Sequence, residues 1–247
     1  MKVALQLCFE ENSIKGKDFI QIFSDFVRFD PILYIKNSRT KPWDEFKHKK
    51  EIANSSSCDS IIANNRNYDL FITTDTAGIE RPHRTVKIVQ DLEIFKTLFQ
   101  KIENVTEMKG FISAFLFDDD YTTIQSAKDE GELKRRGLFD KLEDVKYCTN
   151  KYGEKEIETI KNPGRIELAN DTYFLPAFRM WFSPAFFKLV TKERVIRFNS
   201  AYNIIELPSG IVFVQLFENI EESSSNMNKG IQREFRKWMG FDEIINC

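Results

Sequence analysis

Residues 202–217 read YNIIELPSGIVFVQLF. Two runs rich in β-branched and aromatic residues, Tyr202 to Leu207 and Ile211 to Phe217, flank the three turn residues Pro208-Ser209-Gly210. Such runs suit a half-buried pleated surface, and the short turn predicts a β-hairpin, which is antiparallel by construction. Just downstream, Ile231, Phe235, Trp238 and Met239 recur at helical spacing, and Gly240 follows where a left-handed residue ends a helix. A hairpin followed by a packed helix predicts an α+β protein.

The pattern repeats upstream. Val3, Leu5, Leu7 and Phe9 alternate with Ala4, Gln6 and Cys8, which predicts a strand. Phe19, Ile22, Phe23, Phe26 and Val27 make one apolar helix face, stopped by Pro31, and Ile32 to Ile35 reads as a second strand. Thr40 or Lys41 caps a short helix with Pro42 in its first turn. Residues 54–67 read as a Ser/Asn-rich loop around an apolar pair. Leu70 to Thr73 and Thr85 to Val89 read as strands, and Asp91 caps a helix carrying Phe95, Leu98, Phe99 and Ile102. Phe111 to Phe117 is apolar on both faces and suits a central strand. Ser183-Pro184 opens a helix with Phe186, Phe187 and Val190. The fold expected is a mixed, mainly antiparallel sheet packed by several amphipathic helices, with a charged polar segment near the middle. That segment is 118–165, where 22 of 48 residues are Asp, Glu, Lys or Arg. A single domain over 1–247 is expected, with sub-lobes 1–117 and 166–247 on either side of it.

Composition narrows the function classes. The 23 Phe residues point to an aromatic core. With 36 basic and 38 acidic residues the net charge is −2, which supplies no basic field for a phosphate backbone, so no nucleic-acid partner is expected. Cys8, Cys58, Cys148 and Cys247 are widely spaced, as free thiols of a cytoplasmic protein are. The opening MKVALQLCFEEN lacks the apolar stretch of a signal peptide, and Phe111–Phe117 is far shorter than the ~18–20 residues that span a bilayer. A soluble protein with no membrane contact is expected.

Catalytic and metal-binding patterns are sparse. His48 and His83 are the two histidines, no G-x-S-x-G elbow occurs, and Ser57-Cys58-Asp59-Ser60 matches no cysteine-enzyme signature. A Cys58–His83 dyad is the one thiol–imidazole pairing to consider. Acid-x-Lys occurs at Glu45, Glu107, Glu132 and Asp144, as often as composition alone produces. Asp118-Asp119-Asp120 follows the central strand and crowds three oxygen donors that Mg²⁺ or Ca²⁺ favours. Neighbouring acids on extended chain point apart, so a solvated turn is the expectation, with no metal and no cofactor. The run Tyr173, Phe174, Phe178, Trp181, Phe182, Phe186 and Phe187 reads as core rather than a stacking platform.

Asp75-Thr76-Ala77-Gly78-Ile79-Glu80 resembles the D-T-A-G-x-E segment of small GTPases over six residues. No G-x-x-x-x-G-K-[ST] phosphate loop precedes it and no N-K-x-D follows. The resemblance therefore implies no nucleotide site, and the segment reads as a polar turn with Gly78 at positive φ.

The functional expectation is a non-catalytic protein-binding module. Bacterial toxin-neutralising immunity proteins are of this type, and their partner is a basic toxin domain. The expected partner-binding residues are Asp118, Asp119, Asp120, Glu218, Glu221 and Glu222, whose charge would speed capture of a basic surface. The alternatives are an enzyme of an unrecognised family, metal-dependent through Asp118–Asp120, or a structural or assembly subunit. Oligomeric state is not legible.

Overall fold

The structure, a computed structural model, describes residues 1–55, 59–66, 69–77, 82–142, 145–169 and 172–242. In chain order the elements begin β1 (Lys2–Glu10), α1 (Gly16–Phe26), β2 (Leu33–Lys36), β3 (Arg39–Pro42), α2 (Glu45–Ala53), β4 (Ser60–Ala63), β5 (Phe71–Ala77) and β6 (His83–Asp91). Next come α3 (Leu92–Lys96), α4 (Phe99–Thr106), β7 (Phe111–Asp118), α5 (Asp119–Ser126), α6 (Glu130–Arg135), β8 (Tyr147–Thr149) and β9 (Lys155–Ile157). The chain continues through β10 (Glu167–Leu168), β11 (Tyr173–Phe174), β12 (Arg179–Phe182), α7 (Lys192–Ile196), β13 (Asn203–Glu206), β14 (Val212–Gln215) and α8 (Asn226–Met239).

Among the described residues ten strands form one sheet in the order β13-β14-β12-β7-β1-β6-β5-β4-β2-β3, and every neighbouring pair is antiparallel. With several helices packed on this sheet, the fold is α+β. The period-two pattern of β1 divides the two faces. Val3 lies opposite Gln90, whose Nε2 donates to Phe26 O at 2.9 Å, so α1 covers the face of Val3, Leu5, Leu7 and Phe9. On the other face Cys8 lies opposite Ser113, whose hydroxyl meets that of Thr172 at 2.6 Å. Here Phe174 stacks on Phe241 at 4.1 Å, and Phe182 on Phe186 at 4.2 Å. The aromatic run is therefore mostly buried core, and each fully buried Phe contributes roughly 1.5–3 kcal/mol.

The hairpin forms as its sequence indicates. Gly210 N–H donates to Leu207 O (2.9 Å) and Leu207 N–H to Ile211 O (2.8 Å), while Gly210 takes φ +79°. Pro208 presets the turn, and a side chain at 210 would be strained by that φ. Helix α8 ends at left-handed Gly240, yet its buried face is Asn228, Gln232, Phe235, Arg236 and Met239. Trp238 sits at the rim, 43% exposed, with Nε1 donating to Arg194 O at 2.7 Å.

Four local expectations change. Residues 39–42 form β3 rather than opening a helix, because Asn37 and Ser38 take φ +51° and +59° and turn β2 back on itself. The helix starts later, with Asp44 capping Lys47 N–H at 2.9 Å. The apolar pair Ile61-Ile62 lies in β4, between β2 and β5. Leu98 divides α3 from α4, and Pro184 precedes a 3₁₀ turn at Phe186–Lys188 rather than an α-helix. Segment 118–165 carries α5, α6 and the β8–β9 hairpin, around a small apolar cluster of Ala127, Leu133, Leu138 and Ile157. No helix among the described residues is long and apolar enough to cross a membrane.

Candidate functional site

Strands β6, β7 and β14 run parallel to one another, since each is separated from the next by one antiparallel strand. Their C-terminal ends share one end of the sheet. Asp118–Asp120 lie at the end of β7, and Glu218, Glu221 and Glu222 follow β14. The topology thus brings both groups of sequence-predicted acids to one end of the molecule.

Their surroundings set them apart. Asp118 caps α5, its Oδ1 accepting Tyr121 N–H at 3.0 Å. Burial pushes its carboxyl up to about 6, with Asp120 and Asp119 adding to the rise. Asp119 is fully buried and meets Lys87 Nζ at 2.8 Å and the Arg136 guanidinium. Burial alone would raise its carboxyl, but the two cations outweigh burial and hold it below the ordinary carboxylate range. Asp120 faces Arg136 at 3.5 Å and Lys141 at 3.6 Å. Asp119 is thus an internal ion-pair partner that presents no surface. Glu218, Glu221 and Glu222 are exposed.

Beside Asp118 opens a cleft of about 890 Å³, walled by α5, residues 141–142, 145–146 and 157–163, and the first two turns of α8. Gly164 packs against Tyr121 of this lining, where a β-carbon would stand 2.6 Å from the tyrosine ring. The Tyr121 hydroxyl in turn donates to Gln232 Oε1 at 2.7 Å, which ties α5 to α8. Among the described residues six cations line the cleft: Lys2, Lys141, Lys146, Lys161, Lys229 and Arg233. Lys2 pairs with Asp69 (2.9 Å), Lys141 with Asp120 and Lys161 with Glu158 (3.3 Å). Lys146, Lys229 and Arg233 have no ion pair among the described residues. Glu143 and Asp144, near Lys146 in sequence, lie outside the described residues.

Other candidates come apart. His48 is buried between Tyr34 (4.3 Å) and Trp43 (5.5 Å) and accepts Asp44 N–H on Nδ1; burial pushes its pKa down. His83 is buried edge-on to Tyr173. Cys58, the other half of the dyad, and Cys247 lie outside the described residues, as do Gly78, Ile79, Glu80 and Asp144. Asp75 ends up on β5, accepting the Thr85 hydroxyl at 2.6 Å. Among the described residues no three His, Cys, Asp or Glu side chains are grouped to hold a metal ion.

The sheet's two edges differ. β3 reads Arg-Thr-Lys-Pro and β13 reads Asn-Ile-Ile-Glu. Leu216 N–H donates to Phe178 O, so the even-numbered residues of β14 face β12 and the odd ones face β13. Ile205 and Asn203 therefore bond inward, and Ile204 and Glu206 direct their main-chain groups out of the sheet. Around this edge Tyr202, Ile205, Ile196 and Trp238 are exposed. Sequence reasoning singled out none of these edge residues as a surface, nor Lys146, Lys229 and Arg233. The i, i+4 cations of α8 were the one readable signal.

Compared with known proteins, the chain matches no family model, no curated protein and no solved structure.

Proposed function

We propose that the protein is a protein-binding module that takes an extended segment of a partner along β13. The observation that supports this reading is the contrast between the edges. β3 carries Arg39, Lys41 and Pro42, the residues that discourage further strand pairing. β13 carries no Pro, Lys or Arg, and its outward main-chain groups adjoin exposed Ile205 and Tyr202. Strand addition draws affinity from main-chain hydrogen bonds and specificity from the alternate side chains. Exposed Glu218, Glu221 and Glu222 follow β14, the strand beside this edge, and would draw in a basic partner. Neutralisation of a basic toxin domain is one form this function takes.

The test is Ile204→Pro, which removes an outward-facing donor and leaves the β13–β14 ladder bonded. The full chain and the variant are each titrated with the products of neighbouring genes, with hydrogen exchange followed at residues 203–206. The reading expects one product whose binding protects the Ile204 and Glu206 amides and weakens at least tenfold in the variant. Equal binding by the variant, or protection elsewhere with β13 unchanged, would overturn it.

A further inference from the structure

Three cations of the cleft beside Asp118 have no ion-pair partner among the described residues. Helix α8 shows the contrast internally. Arg236, four positions past Gln232 on the buried side toward the C-terminus, is met by Glu167 and by Asp242 at 2.7 Å. Lys229 and Arg233, earlier on the same helix, line the cleft with no carboxylate partner among the described residues. Four residues apart, they project on one helix face about 6 Å apart along the axis. Like charges at this spacing repel. Lys146, also on the lining, adds a third cation with no ion pair among the described residues. Among the described lining residues the other three cations are ion-paired, and of the lining acids Asp118 alone has no ion pair, so three cations stand against one carboxylate.

We propose that this cleft is a binding site for a small, multiply charged phosphate-bearing anion, held by Lys146, Lys229 and Arg233. About 890 Å³ lies within the size range of small-molecule sites. A phosphate group concentrates roughly −1.5 to −2 charge and three acceptor oxygens in a small volume, which suits a cleft lined by several cations. The Arg233 fork pairs two phosphate oxygens, and the lysines act as point charges beside it. Among the described residues Tyr121 is the one aromatic side chain on the lining, and it is engaged with Gln232, so charge rather than ring stacking governs selection.

The test is calorimetric titration of the full chain with inorganic pyrophosphate, inorganic phosphate, citrate and a poly-glutamate peptide. Pyrophosphate is expected to bind saturably at one site, more tightly than phosphate, and to weaken with added salt. Lys229→Gln combined with Arg233→Gln should reduce pyrophosphate binding at least tenfold, whereas Lys49→Gln, on the distant α2, should leave it unchanged. Both variants change solvent-accessible side chains, and a thermal unfolding curve confirms that each is folded. No saturable pyrophosphate binding, equal binding by the double variant, or tighter binding of citrate or poly-glutamate would overturn the assignment.

Discussion

Two groups of charge lie within one end of this protein, one closed and one open. In the closed group, Asp119 is held between Lys87 and Arg136, and Arg165 and Arg236 share Glu167 and Asp242. In the open group, Asp118 and the cations Lys146, Lys229 and Arg233 border a cleft. Asp118 and Asp119 are adjacent in sequence, yet their carboxyls shift in opposite directions. The difference teaches that formal charge says little until its neighbours are known. A buried carboxylate with two cations acts as structure, whereas a buried one beside other acids keeps its proton to higher pH.

The comparison breaks most readily at Asp119. Asp119→Ala leaves Lys87 and Arg136 facing an emptied site and should cost about 3–5 kcal/mol, read as a lowered urea midpoint at pH 7. A loss below about 1 kcal/mol would mean that the closed group is not closed. Asp118→Asn tests the opposite sign. The folded carboxyl titrates near 6 against an ordinary value of 3.8, so the folded state binds its proton more tightly than the unfolded state. Wild-type stability should therefore fall as pH rises from about 4 to about 6 and then level off. Asn keeps the acceptor for Tyr121 N–H without the charge, so it should stabilise the protein at pH 7 by on the order of 1–2 kcal/mol. Urea midpoints across pH 4–8 check this, and parallel curves for the two proteins would contradict it. Asp119 acts in a separate window, because its stabilisation is lost only as pH falls below the ordinary carboxylate range. The smallest effect belongs to Lys229→Gln and Arg233→Gln, each expected to change stability by less than about 0.5 kcal/mol in thermal unfolding. A loss of several kcal/mol there would move these cations into the closed group.

Elements with a buried face and a regular period were legible in the sequence. β1, α1, β7 and the β13–β14 hairpin each show their alternation or stripe directly. β3 was not, because all four of its residues are exposed and no buried face marks it; the Asn37-Ser38 turn was its only sign. β4 hid within a Ser/Asn-rich stretch, since Ser60 is buried there despite its polarity. For the candidate site, the adjacency of Asp118, Asp119 and Asp120 was plain. What separates them was not, because Lys87 reaches Asp119 from β6 only through the β1-mediated register of β6 with β7. The Lys229–Arg233 spacing was readable, but that it lacks carboxylate partners depends on where Glu158, Asp120 and Asp69 fall in space.

The place of β1 in the sheet governs how the chain is built on the ribosome. Its two neighbours, β6 and β7, end at residues 91 and 118, so β1 is paired on both sides only after more than a hundred further residues emerge. At about 5–20 residues per second that is on the order of 5–20 s, during which the main-chain groups of β1 that face β7 stay unpaired. A nascent chain with this order favours a holding chaperone early and assembles its central strands late.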